Sequence, residues 1–298
     1  MKSISTRTIL DFLGSYQDFE AFEVLGPSSL QKIKSFSLVF VNDLLKVPPL
    51  EGKYEHVLFL AKEPFLTRAT CQVLLVDNPR LRFAQIVNKF FYSPEFTGVA
   101  STALCSIHSI ISSSASIGEY SVIEDGVIIG DEVKIGHHTV ICRDVKIGDR
   151  SQIGSNSVIG TTGLGFERDE NLNPIRIPHL GGVVIGNDVE VGSCVTIARG
   201  TIDNTCIDNM VKIDDHVFIA HNVLIGARSI LVAGCEVSGS VQIGEDCWIG
   251  PLSTIRDGVI IGRKSIVGMG AVVTKNVGDN KTVAGNPARQ FQNKITGS

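Results

Sequence analysis

Histidine is the side chain in this sequence with the most to offer chemically. No Gly-x-Ser-x-Gly elbow, P-loop or dinucleotide fingerprint accompanies it. Of the seven histidines, His56 and His108 have no partner signal, and the spacing of His137 and His138 predicts that they face solvent. His221, in Ile219-Ala220-His221-Asn222-Val223, follows shortly after Asp214 and Asp215. A neutral imidazole near an acid can act as a general base at ordinary cellular pH. Spacing alone is equally compatible with a solvated histidine at a corner of the chain.

The other reactive side chains say less. The seven cysteines form no Cys-x-x-Cys pair and no disulfide-like spacing, so they read as small buried fillers. Arg256, Arg263, Lys264 and Lys275 are cations near the end of the chain that suit an acidic protein or phosphate groups, or simply a solvated face. A net charge of -4 carries no basic footprint for nucleic acid, and no apolar run is long enough to cross a membrane. A cytoplasmic protein is expected.

The elements that must position these groups come from a six-residue period. Isoleucine stands at 111, 117, 123, 129, 135, 141, 147, 153 and 159, and Ala115, Ser121, Thr139, Ser151 and Ser157 lie four places on from an isoleucine. Six is neither the helical nor the hairpin period, so each hexad reads as a short strand plus a corner. Stacked coils then place isoleucine on isoleucine at the strand spacing of about 4.8 Å. The period returns at Ile185, Val191 and Ile197, slips by four residues around Asp203-Asn204-Thr205-Cys206, and runs on from Ile207 to Val273. About eight coils of three strands are expected.

Residues 1–100 lack the period and read as a small α/β domain, with strands at 57–60 and 73–76 and a helix opened by Asp77-Asn78-Pro79. Residues 101–276 form the β-helix, interrupted by a loop at 163–182 whose length suggests function. Residues 277–298 form a terminal segment, in which 283–289 are expected to leave the ladder and cap the open end.

Several segments in this order resemble a known family: Leu75-Val76-Asp77-Asn78-Pro79, Gly163-Leu164-Gly165-Phe166, Ile177-Pro178-His179-Leu180-Gly181, Thr196-Ile197-Ala198-Arg199-Gly200, and Ile213-Asp214-Asp215 with Ile219-Ala220-His221-Asn222. Together they resemble the LpxD family, the UDP-3-O-(3-hydroxyacyl)glucosamine N-acyltransferases of lipid A biosynthesis. The resemblance implies a left-handed parallel β-helix of hexapeptide repeats, assembled as a homotrimer. It implies His221 as general base and Asp214 as the acid that orients it. It also implies substrate contacts from Asn42, Phe40, Phe166, His179 and Asn222, with the uridine held by the N-terminal domain. The donor would be an acyl carrier protein thioester, with Arg256, Arg263, Lys264 and Lys275 on the donor side. No tightly bound cofactor and no metal are implied. Ala198 replaces a family aspartate, and no histidine occurs at 256–258 where the family has a second one.

Other readings follow from the same residues. The 283–289 segment is similar to the ending of CoA-dependent hexapeptide acetyltransferases, which would make the donor acyl-CoA or acetyl-CoA and the acceptor another nucleotide-linked amino sugar. His216 and His221 stand five apart, as in the zinc pair of γ-carbonic anhydrases, with His179 as a third ligand. A non-catalytic β-helical scaffold that binds sugar nucleotides is the remaining class.

Overall fold

A computed structural model describes residues 3–18, 20–48, 54–67, 70–93 and 96–290. The chain divides into two compact units, Met1–Glu95 and Phe96–Ser298.

In the first unit a four-stranded parallel sheet runs in the order Gly26–Pro27, Ser37–Phe40, Leu58–Ala61 and Gln72–Leu75. Its central strand Leu58–Ala61 is buried on both faces, as a parallel strand between two layers requires. Asn78 caps the helix Pro79–Ile86 by accepting from the Leu81 N–H at 3.1 Å, and Pro79 fills a first-turn position that needs no donor. Leu38 and Leu60 face one apolar cluster with Phe40 against its rim, while Val39 and Phe59 face the other.

The second unit is a parallel β-helix with three faces. Face 1 has nine strands, from Leu104–Cys105 to Val272–Val273. Face 2 has eight, from Ile110–Ile111 to Ile260–Ile261, and face 3 has ten, from Ser116–Ile117 through Ile266–Val267 to Thr282–Ala284 and Arg289–Gln290. Nine strands on face 1 correspond to nine coils, one more than the hexad count suggested, because Leu104–Cys105 pairs with Val122–Ile123 ahead of the regular isoleucines.

Register explains the period. Ile123 lies opposite Ile141, and Ile141 opposite Ile159, so like residues stack down the axis. These isoleucines are essentially inaccessible to water, each worth roughly 1.5–3 kcal/mol of burial. The small fourth-place residues fill the corners: Ser121 Oγ donates to the Gly136 carbonyl at 2.6 Å, and Cys235 and Cys247 are buried. Burial pushes the Cys235 thiol up to about 12, consistent with filler rather than nucleophile.

The terminal segment departs from expectation. Thr282–Ala284 continues face 3, with Val283 opposite Val267 and buried in the core. Only after it does the chain turn at Gly285, and Arg289–Gln290 returns antiparallel. A β-branched Val283 can still stack, so the cap begins later than the Gly-Asn-Pro composition suggested; residues 291–298 lie outside the described ones.

Candidate active site

The residue two places beyond each inward side chain of face 1 falls on the edge leading to face 2. Register puts Ile197 opposite Ile219, Ile219 opposite Val237, Val237 opposite Ile255 and Ile255 opposite Val273. Arg199, His221, Gly239, Asp257 and Lys275 therefore follow one another along a single edge.

His221 is oriented by its neighbour. Asn222 has φ 59°, a left-handed conformation that asparagine tolerates, and its side chain meets the imidazole, with Oδ1 3.0 Å from His221 Nδ1. The same Oδ1 accepts from the Thr201 backbone N–H at 3.1 Å and from its hydroxyl at 2.8 Å. A backbone N–H can only donate, so this Asn222 atom is the carbonyl oxygen, and His221 Nδ1 must carry a hydrogen. In neutral His221 the lone pair is then on Nε2. A Cβ built on Gly239 would lie 2.8 Å from that Nε2, so only glycine leaves the nitrogen uncovered there.

The four-residue slip and the loop make the wall beside it. Thr201 belongs to the slip, and the returning loop is pinned to it: the Leu180 N–H donates to the Thr201 carbonyl at 2.7 Å and the Gly182 N–H to Asn204 Oδ1 at 2.8 Å. The loop's hairpin pairs Phe166–Arg168 with Pro174–Arg176, and Arg176 lies over the Phe166 ring at 4.8 Å. Asp169 closes the turn by accepting from the Asn171 and Asn173 N–H groups, and Asn173 holds its carboxyl below the usual range.

His179, on the return leg, packs edge-on against His221 with ring centroids 5.1 Å apart. Its Nδ1 donates to the Ile177 carbonyl at 3.1 Å, leaving Nε2 buried and without a hydrogen-bond partner. Burial pushes the His179 pKa down; the Ile177 hydrogen bond opposes this, while His221 and nearby arginines add to it. His179 is thus a neutral ring beside His221. At Gly163 a Cβ would lie 2.8 Å from His179 Nε2 and 3.2 Å from His221 Cβ, so a glycine lets the loop close on both rings.

Asp214 is not brought to His221. It lies on the edge between faces 3 and 1, one strand away, with Oδ1 accepting from the Asp215 N–H and Oδ2 from the Ala233 N–H. Residues seven apart in sequence fall on different edges because a β-helix turns a corner every six residues. The orienting group is Asn222, assigned to substrate from sequence. His216 shares the edge of Asp214 and so lies on a different edge of the chain from His221.

The four cations separate as well. Arg256 and Lys275 are on the edge of His221, whereas Arg263 and Lys264 are on the edge between faces 2 and 3, where Arg263 pairs with Asp279 at 3.0 Å. In the first unit Asn42 is exposed beyond the carboxyl end of Ser37–Phe40, and Phe40 is turned inward against Phe83, centroids 4.9 Å apart. Sequence reasoning missed Thr201 and Gly239. The latter could have been found by counting one coil of 18 residues from His221.

The bacterial transferase hexapeptide family, a six-repeat unit, matches residues 108–143, 127–161 and 240–275. Over those residues the chain is similar to this family. It is 42% identical over 201 residues to the UDP-3-O-acylglucosamine N-acyltransferase of Coxiella burnetii, covering 61% of this chain and 58% of that protein. It is 40% identical over 124 residues to the enzyme of that name from Bordetella parapertussis, covering 41% and 34%. The matches thus span between a third and three-fifths of those relatives. Among solved structures, LpxA from Acinetobacter baumannii matches with a TM-score of 0.57 at 25% identity, over 65% of this chain and 73% of that one. A UDP-N-acetylglucosamine acyltransferase matches at 0.60 and 27%, over the same shares. The fold is the left-handed β-helix of these neighbours.

Proposed function

We propose that this protein is an N-acyltransferase that moves a 3-hydroxyacyl group from an acyl carrier protein thioester to the 2-amine of a UDP-linked 3-O-acylglucosamine. The observation that carries the reading is His221 held by Asn222 with Nε2 open at the coil edge, in a chain about 40% identical over the matched stretches to enzymes of that name. The amine nitrogen attacks the thioester carbonyl, the C–N bond forms and the C–S bond breaks. His221 Nε2 takes a proton from the nitrogen and gives it to the departing thiolate. His179 Nε2, buried and unpartnered, accepts a hydrogen from the acceptor, and Phe166 on the hairpin covers it. Asn42 holds the uridine with Phe40 behind it, and Arg256 and Lys275 meet the anionic donor. The enzyme works as a cytoplasmic homotrimer.

A second reading rests on a cavity of about 300 Å³ lined by Lys275, Lys281 and Arg289 at the open end, which suits the phosphates of a CoA donor. The test is a panel of purified 3-hydroxyacyl carrier protein and acyl-CoAs, each with UDP-linked amino sugars. Amide product from the carrier protein is the expected result. Product from CoA alone transfers the assignment to the second reading, and no amide from any pair overturns both.

A further inference from the structure

Asp257 has no part in the account so far, yet it shares a glycine with His221. A Cβ on Gly239 would lie 2.8 Å from His221 Nε2 and 2.9 Å from Asp257 Oδ1. The imidazole nitrogen on one coil and the carboxylate two coils on therefore lean over the same glycine, less than about 6 Å apart, a span that two hydrogen bonds to one shared atom can cover. Asp257 itself is exposed, and the coil at this point is held by backbone bonds, Gly258 N–H to the Gly239 carbonyl at 2.9 Å and Ser240 N–H to the His221 carbonyl at 2.9 Å. The carboxylate is not needed to close the turn.

We infer that Asp257 binds the nucleophilic nitrogen of the acceptor and selects an amine over a hydroxyl. The inference rests on the N-acyl-transfer reading and adds to it the group that recognises the nucleophile. A neutral primary amine has two N–H groups and one lone pair. One N–H donates to Asp257 Oδ1, the other to His221 Nε2, and the lone pair is left for the thioester carbonyl. A hydroxyl has a single hydrogen and satisfies only one of the two acceptors, leaving the other unpaired. When the acceptor arrives as an ammonium ion, its third proton passes to solvent before attack, and the carboxylate balances the charge meanwhile. During transfer the N–H on Nε2 moves to His221 and then to the thiolate. The N–H on Asp257 remains in the amide product, and Asp257 is unchanged.

The test compares wild type with Asp257→Ala and Asp257→Asn, using the donor that supports turnover. A charge-assisted hydrogen bond of this kind corresponds to a loss of roughly 10- to 100-fold. Asp257→Ala is expected to raise KM for the amino sugar by that factor while KM for the donor and Tm stay unchanged. Asp257→Asn, which keeps an acceptor oxygen but not the charge, falls between. The preference for the amine over a 2-hydroxyl analogue drops by the same factor. Unchanged acceptor KM, or equal rises for donor and acceptor, overturns the inference. Should wild type transfer no acyl group, the functional reading fails, and Asp257 is judged by calorimetry. Wild type should bind a UDP-linked amino sugar about tenfold more tightly than its N-acetylated counterpart. Asp257→Ala should erase the difference, and equal binding by wild type refutes the role.

Discussion

Gly239→Ala is the smallest change that should disable the site without disturbing the coil. Gly239 does not have positive φ, so alanine meets no backbone strain, and its lower unfolded-state entropy favours the fold by about 0.4–1 kcal/mol. The added methyl would lie 2.7 Å from His221 Cε1 and 2.8 Å from Nε2, where ordinary contacts begin at 3.4 Å. The imidazole must retreat by about 0.6 Å or more. A displacement of about 1 Å at reacting atoms costs on the order of 100-fold. We expect kcat/KM to fall about 30- to 100-fold, or roughly 2–3 kcal/mol, with Tm held within a few degrees. The loss of the Asn222 hydrogen bond, if the ring swings away, is worth about 1 kcal/mol and is offset by the entropy gain. Gly270→Ala is the opposite control: φ is +62° with no neighbouring atom within 4 Å of a Cβ, so stability drops by about 1–2 kcal/mol and activity per folded molecule is kept. Steady-state acylation and thermal unfolding of both variants check this. Full activity in Gly239→Ala would refute the placement of Nε2 as the reacting atom.

Two further outcomes follow from the surroundings of His221. Asn222→Ala removes the acceptor that holds Nδ1–H, so both tautomers populate; kcat should fall about tenfold or more with acceptor KM little changed, and nitrogen NMR of the imidazole should show the mixture. His179 has a folded pKa below its unfolded value of 6.5, so its contribution to stability is present above about pH 6.5 and is lost as pH falls through the folded value. Proteolysis within the 163–182 loop should accelerate over that acidic window, and His179→Gln should flatten the dependence. Loop cleavage independent of pH would contradict the burial of a neutral His179.

How much was legible in the sequence depends on whether the signal was periodic. The isoleucine spacing revealed the coil, because each inward Ile sits on another and any other period would break the stack. The slip at 203–206 was visible as a lost phase, but not that Thr201 anchors Asn222, since that contact crosses 21 residues and depends on corner geometry. Asp214 looked close to His221 in sequence and lies on another edge, whereas Asp257 looked remote and shares Gly239 with it. The resemblance singled out His221 and the loop as segments, but not that the loop packs the His179 ring on His221, a contact that crosses 42 residues by number. Arg263 and Lys264 could not be separated from Arg256 and Lys275 by charge; only the three-sided coil distinguishes their edges.

The most direct measurement is the rate of amide formation from 3-hydroxyacyl carrier protein and the UDP-linked amino sugar, followed by mass spectrometry for wild type and His221→Ala. Wild type should form the amide, and His221→Ala should lower kcat by roughly 10²- to 10⁴-fold without changing Tm by more than a few degrees. Amide formation by His221→Ala at the wild-type rate would contradict the assignment of His221 Nε2 as the base.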